Sequence, residues 1–498
     1  MTRWPISLAL ILCTPLFGAS HRPNILFCIT DDQSWAHTGA NGDSVVKTPT
    51  FDRVAAEGIR FTHSFSDAPT CGPSRSAILT GQPIWRLEEA ANIWSTLPAK
   101  FATYTGQLKQ AGYRVGYTGK GWAPGRIAPG GRTENPAGKA YTGRRISPPF
   151  RGIRNVDYAG NFDDFLSGLT HEEPFCFWLG TSEPHRAFER GSGRKAGKDP
   201  ARVVLPPIFP DHDVVRNDLL DYFVEIEHAD TMFGRAIDSL ERRHWLENTM
   251  VVISSDHGMP FPRGKATLYD DGTRVPLAIR WGAGIQNPGR IISQPVNLSA
   301  LAPTFLEAAG LPVPQMMTAH SLMDLFRDES PSEDQAAFIA LERHSGARAG
   351  GKGYPSRAIR THDFLYIYNF EPSRWPAGSP DPQVCNRLIA YGEYDPSPTK
   401  TFMMEHQHVH GLADLAELSF GKHPAEELYD VRNDPHQMLN LTGSLKHLAA
   451  QQALRERLFE HLRKTRDPRV VGGAVNWDFY PHYGNRTNPN WEVTEKPH

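Results

Sequence analysis

Two stretches of the chain share one design. Residues 24–30 (NILFCIT) form a continuous apolar run that stops abruptly at Asp31-Asp32, and residues 249–255 (TMVVISS) repeat the pattern and stop at Asp256-His257. Short apolar runs without alternation predict strands buried on both faces. Between them the pattern predicts a helix over residues 74–79, a helix over 104–111 followed by a short strand over 114–118, and a strand over 175–180 (FCFWLG). A long helix over 214–241 follows, with Leu219, Phe223, Ile226, Met232, Phe233, Ile237 and Leu240 at helical spacing. Strands alternating with helices imply an α/β fold built on a doubly wound, mostly parallel sheet. Ligands of such sheets bind beyond the carboxyl ends of the strands, where both acidic pairs fall.

Near residue 350 the texture changes. Residues 356–370 read as a two-stranded antiparallel element, 427–431 as a further strand and 444–464 as a helix, ahead of an irregular tail after Asp467. This predicts a smaller α+β subdomain over 351–498, following the larger α/β domain over 21–350. Residues 1–20 carry Arg3, an apolar run over 6–13 and the small residues Gly18-Ala19-Ser20, the pattern of a secretory signal peptide. That run is too short to span a bilayer, and Leu12 precedes Cys13 where a lipoprotein signal would have a small residue. The expectation is a secreted or periplasmic protein with no membrane anchor.

Composition narrows the partners. Lys and Arg number 53 against 55 Asp and Glu, a formal charge of -2, so there is no overall basic field to hold nucleic acid. With 43 Gly and 41 Pro the chain is rich in loops. Its 5 cysteines form no CxxC pair and no disulfide framework. Cys28 and Cys176 lie in strand-like runs and read as core thiols, Cys13 leaves with the signal, and Cys385 has no evident role.

Cys71 differs. It opens the segment CGPSRSAILTG, in which Pro73 suits the first turn of a helix and Gly81 its end. The cysteine therefore sits by a helix N-terminus, where free N–H groups attract anions. Arg75, four residues on, shares its face and has the fork geometry to hold an oxyanion. This describes a nucleophile beside an anion hole; the plainer reading, a buried cysteine capping a helix, would not call for Arg75.

The pattern Cys71, Pro73, Arg75 with Thr80-Gly81 resembles the signature of the type I sulfatases, whose cysteine is oxidised to formylglycine. The similarity runs from PNILFCITDDQ through SSDHG to ELYDVRNDPHQMLNL at 427–441. The resemblance implies an alkaline-phosphatase-like fold, a maturase that modifies Cys71, and a metal held by Asp31, Asp32, Asp256, His257 and the modified Cys71. Three carboxylates make a hard oxygen site, so Ca²⁺ is the first choice. His257 stands where many relatives have Asn, which leaves Mg²⁺ or Mn²⁺ compatible. It further implies Lys120 and Lys265 on the sulfuryl group, with Arg263 a neighbour able to stand in for Lys265, and His185 at the leaving oxygen. Relatives carry a histidine where this chain has Trp122, so the base that helps expel sulfate must come from elsewhere; His37, His63, His344 and His257 are candidates, with a metal-bound hydroxide as the alternative.

For substrate, residues 125–154 hold Arg126, Arg132, Lys139, Arg144, Arg145, Arg151 and Arg154 against Glu134 alone, and residues 186–202 hold six more basic residues. These stretches either rim the pocket and steer a polyanion or are solvated loops. Trp35, Trp122 and Trp375 are candidates for stacking on sugar rings, and Trp122, Arg263 and His344 for substrate contact. PHR at 184–186 and PFPRGK at 260–265 look closest to the heparan N-sulfatase branch, which implies a sulfated oligo- or polysaccharide with O- or N-sulfate left open. Two readings compete: a phosphomonoesterase or phosphonate monoester hydrolase of the same superfamily, and a catalytically silent glycan-binding relative.

Overall fold

The computed structural model describes residues 22–328 and 335–495, so the proposed signal segment lies outside the described residues. Eight strands form the large sheet: β1 (Asn24–Thr30), β2 (Ile59–Phe61), β3 (Arg114–Gly119), β4 (Lys139–Ala140), β5 (Phe175–Gly180), β6 (Thr249–Ser255), β7 (Leu277–Arg280) and β8 (Arg290–Ile292). Their spatial order is β4-β3-β5-β1-β6-β7-β2-β8. β4, β3, β5, β1 and β6 run parallel, and β7 is antiparallel to both of its neighbours. The mostly parallel sheet expected from the apolar runs is therefore present, with its two acid-terminated strands side by side at the centre.

Both faces of the sheet are covered, which explains why β1 lacks polar alternation. Ile25, Phe27 and Ile29 pack with helices α2 (Tyr104–Gln110) and α5 (Leu301–Ala308), while Leu26 and Cys28 face α3 (Tyr158–Leu166) and α4 (Asp213–Arg242). The seven apolar residues that predicted α4 are all buried. Cys28 and Cys176 are buried and unpaired as expected, and Cys385 is also buried, its thiol near the carbonyl of Ala347 at 3.3 Å.

The smaller sheet is antiparallel, in the order β9 (Ala337–Leu341), β10 (Ser356–Arg360), β11 (Phe364–Asn369), β12 (Glu426–Asp430). It takes in residues on both sides of position 350. Alternate residues divide its faces: Ile339, Ala358 and Ile367 pack on Leu268 and Tyr269 of the larger unit, whereas Ile359 and Tyr366 lie under α6 (Leu448–Lys464) through Leu454, Leu458 and Leu462. The tail is irregular apart from one short turn of helix, yet Trp477 and Trp491 are buried and pin it down.

Candidate active site

The floor of the site is set by strand register. β1 pairs with β6 so that Thr30 lies opposite Ser255, and Asp31-Asp32 and Asp256-His257 leave the sheet together. Asp32 turns out of the strand with φ 76°, in the left-handed region. Such backbone strain is held where surrounding contacts over-determine it, and here the Asp32 N–H donates to Asp256 Oδ1 at 3.2 Å. Helix α1 (Cys71–Thr80) is buried along its whole length and ends at Gly81 with φ 60°. Cys71 is its first residue, with Sγ 3.2 Å from His257 Nε2 and 3.9 Å from Asp32 Oδ1.

Asp31, Asp32, Cys71 and His257 each bring a ligand atom within 4.8 Å of the others, and all four are buried. Asp256 joins them, its Oδ1 3.7 Å from His257 Nε2. Asp31 Oδ1 is buried without a hydrogen-bond partner. With the Arg75 guanidinium no nearer than 3.7 Å, a buried carboxylate oxygen without a hydrogen bond among other carboxylates leaves room for a further cation. An oxygen-rich donor set with one imidazole therefore fits a divalent metal.

Cations surround this floor. Arg75 is fully buried; its Nε donates to Asp256 Oδ2 at 2.8 Å, and Nη1 donates to the carbonyls of Lys120 and Gly121 at 2.7 and 3.0 Å. Burial alone would raise Asp256, but His257, Arg75 and Lys120 hold it well below the usual carboxylate range. Lys120 reaches Asp31 Oδ2 at 2.5 Å, and Lys265 bridges Asp32 at 2.8 Å and Asp395 at 3.2 Å. Burial opposes the charge on both lysines, and the neighbouring aspartates more than restore it, so both stay protonated. The Cys71 thiol is pushed up by burial and by Asp31, which makes the unmodified side chain a poor thiolate.

Lys120 owes its position to two glycines. A Cβ on Gly119 would lie 2.0 Å from the Gly180 carbonyl oxygen, and one on Gly180 would lie 2.1 Å from that of Lys120. Only glycine lets β3 and β5 end this close together.

Above the floor opens a cavity of about 720 Å³ lined by Cys71, Asp31, Lys120, His185, Lys265 and His344. A larger cleft of about 860 Å³ lies at the amino ends of β1 and β6, near Asn24 and Asn248, where Glu307 is its single carboxylate. The chemistry is concentrated in the first. His185 Nδ1 lies 2.6 Å from the Arg186 carbonyl and so carries the proton, leaving Nε2 3.9 Å from Asp32 Oδ2.

Several sequence expectations change. Arg75 is not among the residues that line the cavity: its Nε and Nη1 are taken by Asp256 and two carbonyls, and Nη2 is buried without a hydrogen bond, 3.7 Å from Asp31 Oδ1. Arg263 is buried over the Tyr269 ring at 3.8 Å and donates to the carbonyls of Leu418 and Gln437, so it cannot replace Lys265 or touch substrate. Trp122 is buried with its indole N–H on Ser76 Oγ at 2.8 Å, and it does not line the cavity. Trp35 packs under Arg274 and Trp375 near Tyr391, and neither lines the cavity. Of the two basic stretches only Arg154 and Arg186 do, and Arg186 is clamped by Asp218 at 2.7 and 2.8 Å. Arg132 is tied to loop carbonyls, Arg144 to Asp164 and Lys198 to Glu227. His37 and His63 lie outside the cavity lining.

The structure also adds residues that the motifs did not flag. Trp94, 39% exposed, Arg387 and Asp395 line the cavity, and the tail contributes His482 and Asn485. No spacing pattern marks these residues, because long loops and the tail bring them in.

The sequence profile of the family described as Sulfatase matches residues 23–311, more than half of the chain. The chain belongs to the sulfatase family. A second profile, described as the C-terminal part of N-sulphoglucosamine sulphohydrolase, matches residues 260–396. An ulvan-active sulfatase of Formosa agariphila is 25% identical over 90% of this chain and 81% of its own length. The N-sulphoglucosamine sulphohydrolase of Homo sapiens is 25% identical over 94% and 95% respectively. Among solved structures, a protein in complex with its substrate D-glucosamine-2-N,6-O-disulfate superposes with a TM-score of 0.65 at 21% identity, covering 91% of this chain and 100% of that one. The fold is thus the alkaline-phosphatase-like fold of the type I sulfatases. Among the described residues no helix is long and apolar enough to cross a membrane.

Proposed function

We propose that the protein is a secreted or periplasmic sulfatase that hydrolyses sulfate esters or N-sulfamates of a sulfated saccharide, using formylglycine made from Cys71 by a maturase and a divalent metal. The observation that carries this reading is Cys71 at the start of a buried helix, 3.2 Å from His257 in the acidic cluster and open to the cavity that Lys120, Lys265 and His185 line. The profile match over 260–396 supports the heparan N-sulfatase branch, while the relative described as an ulvan-active sulfatase supports a sulfated polysaccharide such as ulvan.

Formylglycine would supply a hydroxyl nucleophile toward sulfur, and a metal held by Asp31, Asp32, Asp256 and His257, with Ca²⁺ the first choice and Mg²⁺ or Mn²⁺ compatible, would favour its ionisation. The chain's own residues do the rest. Lys120 and Lys265 hold the sulfuryl oxygens as charge spreads over them. His185, its Nδ1 fixed by the Arg186 carbonyl, presents Nε2 to protonate the departing oxygen or nitrogen. Arg75 keeps Asp256 ionised and in place.

The test is sulfate release from a panel of sulfated saccharides by protein co-expressed with a maturase. Cys71→Ala should abolish release and keep the fold; release at the wild-type rate would refute the assignment. A phosphonate monoester hydrolase shares the fold at a TM-score of 0.61 and 18% identity, covering 93% of this chain and 100% of that one. Phosphate and phosphonate esters therefore belong in the same panel, and a preference for them would overturn the sulfatase reading.

A further inference from the structure

One wall of the cavity carries an imidazole held with unusual care. His344 follows β9 and is 5% exposed, and its Nδ1 lies 2.8 Å from Glu393 Oε2. That oxygen also accepts the Ser345 N–H at 2.9 Å and the Ser345 hydroxyl at 3.0 Å, while Oε1 takes the Arg348 guanidinium at 2.5 Å. Burial would raise Glu393, but Arg348 and the bond to His344 bring it down to about 2. Glu393 is therefore an acceptor only, so Nδ1 carries a proton toward it and Nε2 is the nitrogen left to exchange a proton with the cavity. Among the described residues Nε2 has no partner, and with Nδ1 turned to Glu393 the other edge of the ring faces the cavity that Cys71 lines.

No other group in the cavity offers the same. In the proposed function His185, whose Nε2 lies 3.9 Å from Asp32 Oδ2, serves the leaving group, and His257 lies within the acidic cluster. His482 also lines the cavity, but no carboxylate orients it, and burial with Arg343 and Arg486 lowers it to about 4. Trp122 presents only an N–H, already taken by Ser76. A histidine oriented by a buried carboxylate, bare at its other nitrogen, has the architecture of a general base.

We propose that His344, oriented by Glu393, is the base for the step that releases sulfate; this rests on the formylglycine-sulfatase reading above. After sulfuryl transfer, residue 71 bears one sulfated oxygen and one free hydroxyl on the same carbon. His344 Nε2 takes the hydroxyl proton, the O–H electron pair becomes the second C–O bond of the aldehyde, and the bond from that carbon to the sulfate oxygen breaks with its pair leaving on sulfate. The proton then passes from Nε2 to water, with no net oxidation. Glu393 acts as a positioning residue that fixes the tautomer and places a negative charge beside the protonated ring.

The experiment uses full-length, maturase-processed protein with p-nitrophenyl sulfate and the panel of sulfated monosaccharides, comparing wild type with His344→Gln and His344→Gly. We expect kcat to fall about 10²- to 10⁴-fold with KM little changed. The residue-71 peptide, quenched during turnover, should carry the mass of one sulfuryl group in the variants and not in wild type. Free imidazole should restore part of the turnover of His344→Gly. In the unprocessed Cys71→Ser protein, which cannot turn over, His344→Gln should leave calorimetric affinity for the same saccharides unchanged. A raised KM with weakened affinity and no adduct would make His344 a binding residue and overturn the proposal, as would wild-type kcat in either variant. A wild type that releases no sulfate from any probe would instead overturn the sulfatase reading beneath it.

Discussion

Arg75 offers a direct test of how the site is built. Its guanidinium is wholly buried between Asp256 at 2.8 Å, Asp31 at 3.7 Å and the carbonyls of Lys120 and Gly121. Burial disfavours its charge, yet Asp256 and Asp31 keep its proton affinity above the ordinary value. Arg75→Met would leave Asp256 Oδ2 and the Gly121 carbonyl without their buried donor, while the Lys120 carbonyl keeps the Trp178 indole N–H. Removing one partner of a buried, hydrogen-bonded ion pair costs about 3–5 kcal/mol, which corresponds to a fall in Tm on the order of 5–10 °C for a unit of this size. Arg75→Lys keeps the charge but cannot span Asp256 and both carbonyls at once, so it should lie between the two. Calorimetric unfolding, run with and without added divalent cation, measures the loss, and steady-state kinetics run alongside it. If Arg75→Met unfolded within about 1 kcal/mol of wild type and only its KM rose, Arg75 would be gripping the sulfuryl group and the positional argument would be wrong.

Lys265 and Arg263 should behave as opposites. Lys265→Met, which removes a cation from the cavity, should lower kcat/KM by about 10²- to 10³-fold, whereas Arg263→Met should destabilise the fold and leave KM unchanged; equal kinetic losses would contradict their placement. Chelation should lower Tm and Ca²⁺ should restore it, because Asp31, Asp32 and Asp256 are otherwise crowded together; a chelator-insensitive Tm in both wild type and Asp31→Asn would argue against a metal. Acid should expose the Glu393 contribution. Its folded value of about 2 lies below the ordinary 4.5, so its stabilisation is complete above pH 4.5 and is lost as pH falls through 2. The amount is on the order of 3 kcal/mol. Glu393→Gln should lack this dependence in pH-resolved unfolding, and an unchanged profile would refute it.

Much of this protein was legible in the sequence because the signals were local. Continuous apolar runs ending in Asp31-Asp32 and Asp256-His257 reported strands buried on both faces and ligand groups at their carboxyl ends. Pro73 and Gly81 bracketed the helix that carries Cys71, and the spacing of Cys71, Pro73 and Arg75 gave the family. What these signals lack is direction. Arg75, Arg263 and Trp122 stood in the right motifs, but a motif does not say which way a side chain points. In the fold Arg75 turns to Asp256, Arg263 to the Leu418 and Gln437 carbonyls and Trp122 to Ser76. The charge-rich stretches left two readings open for the same reason, since loop arginines bind whichever carboxylates or carbonyls the fold brings near them. Asp395, Trp94 and His482 reach the cavity, and Glu393 reaches His344 behind its wall, through long-range packing that no spacing records. The sequence thus determined the chemistry at the ends of the central strands; tertiary structure alone decided which cations face the substrate, and that a carboxylate 49 residues away turns His344 toward the cavity.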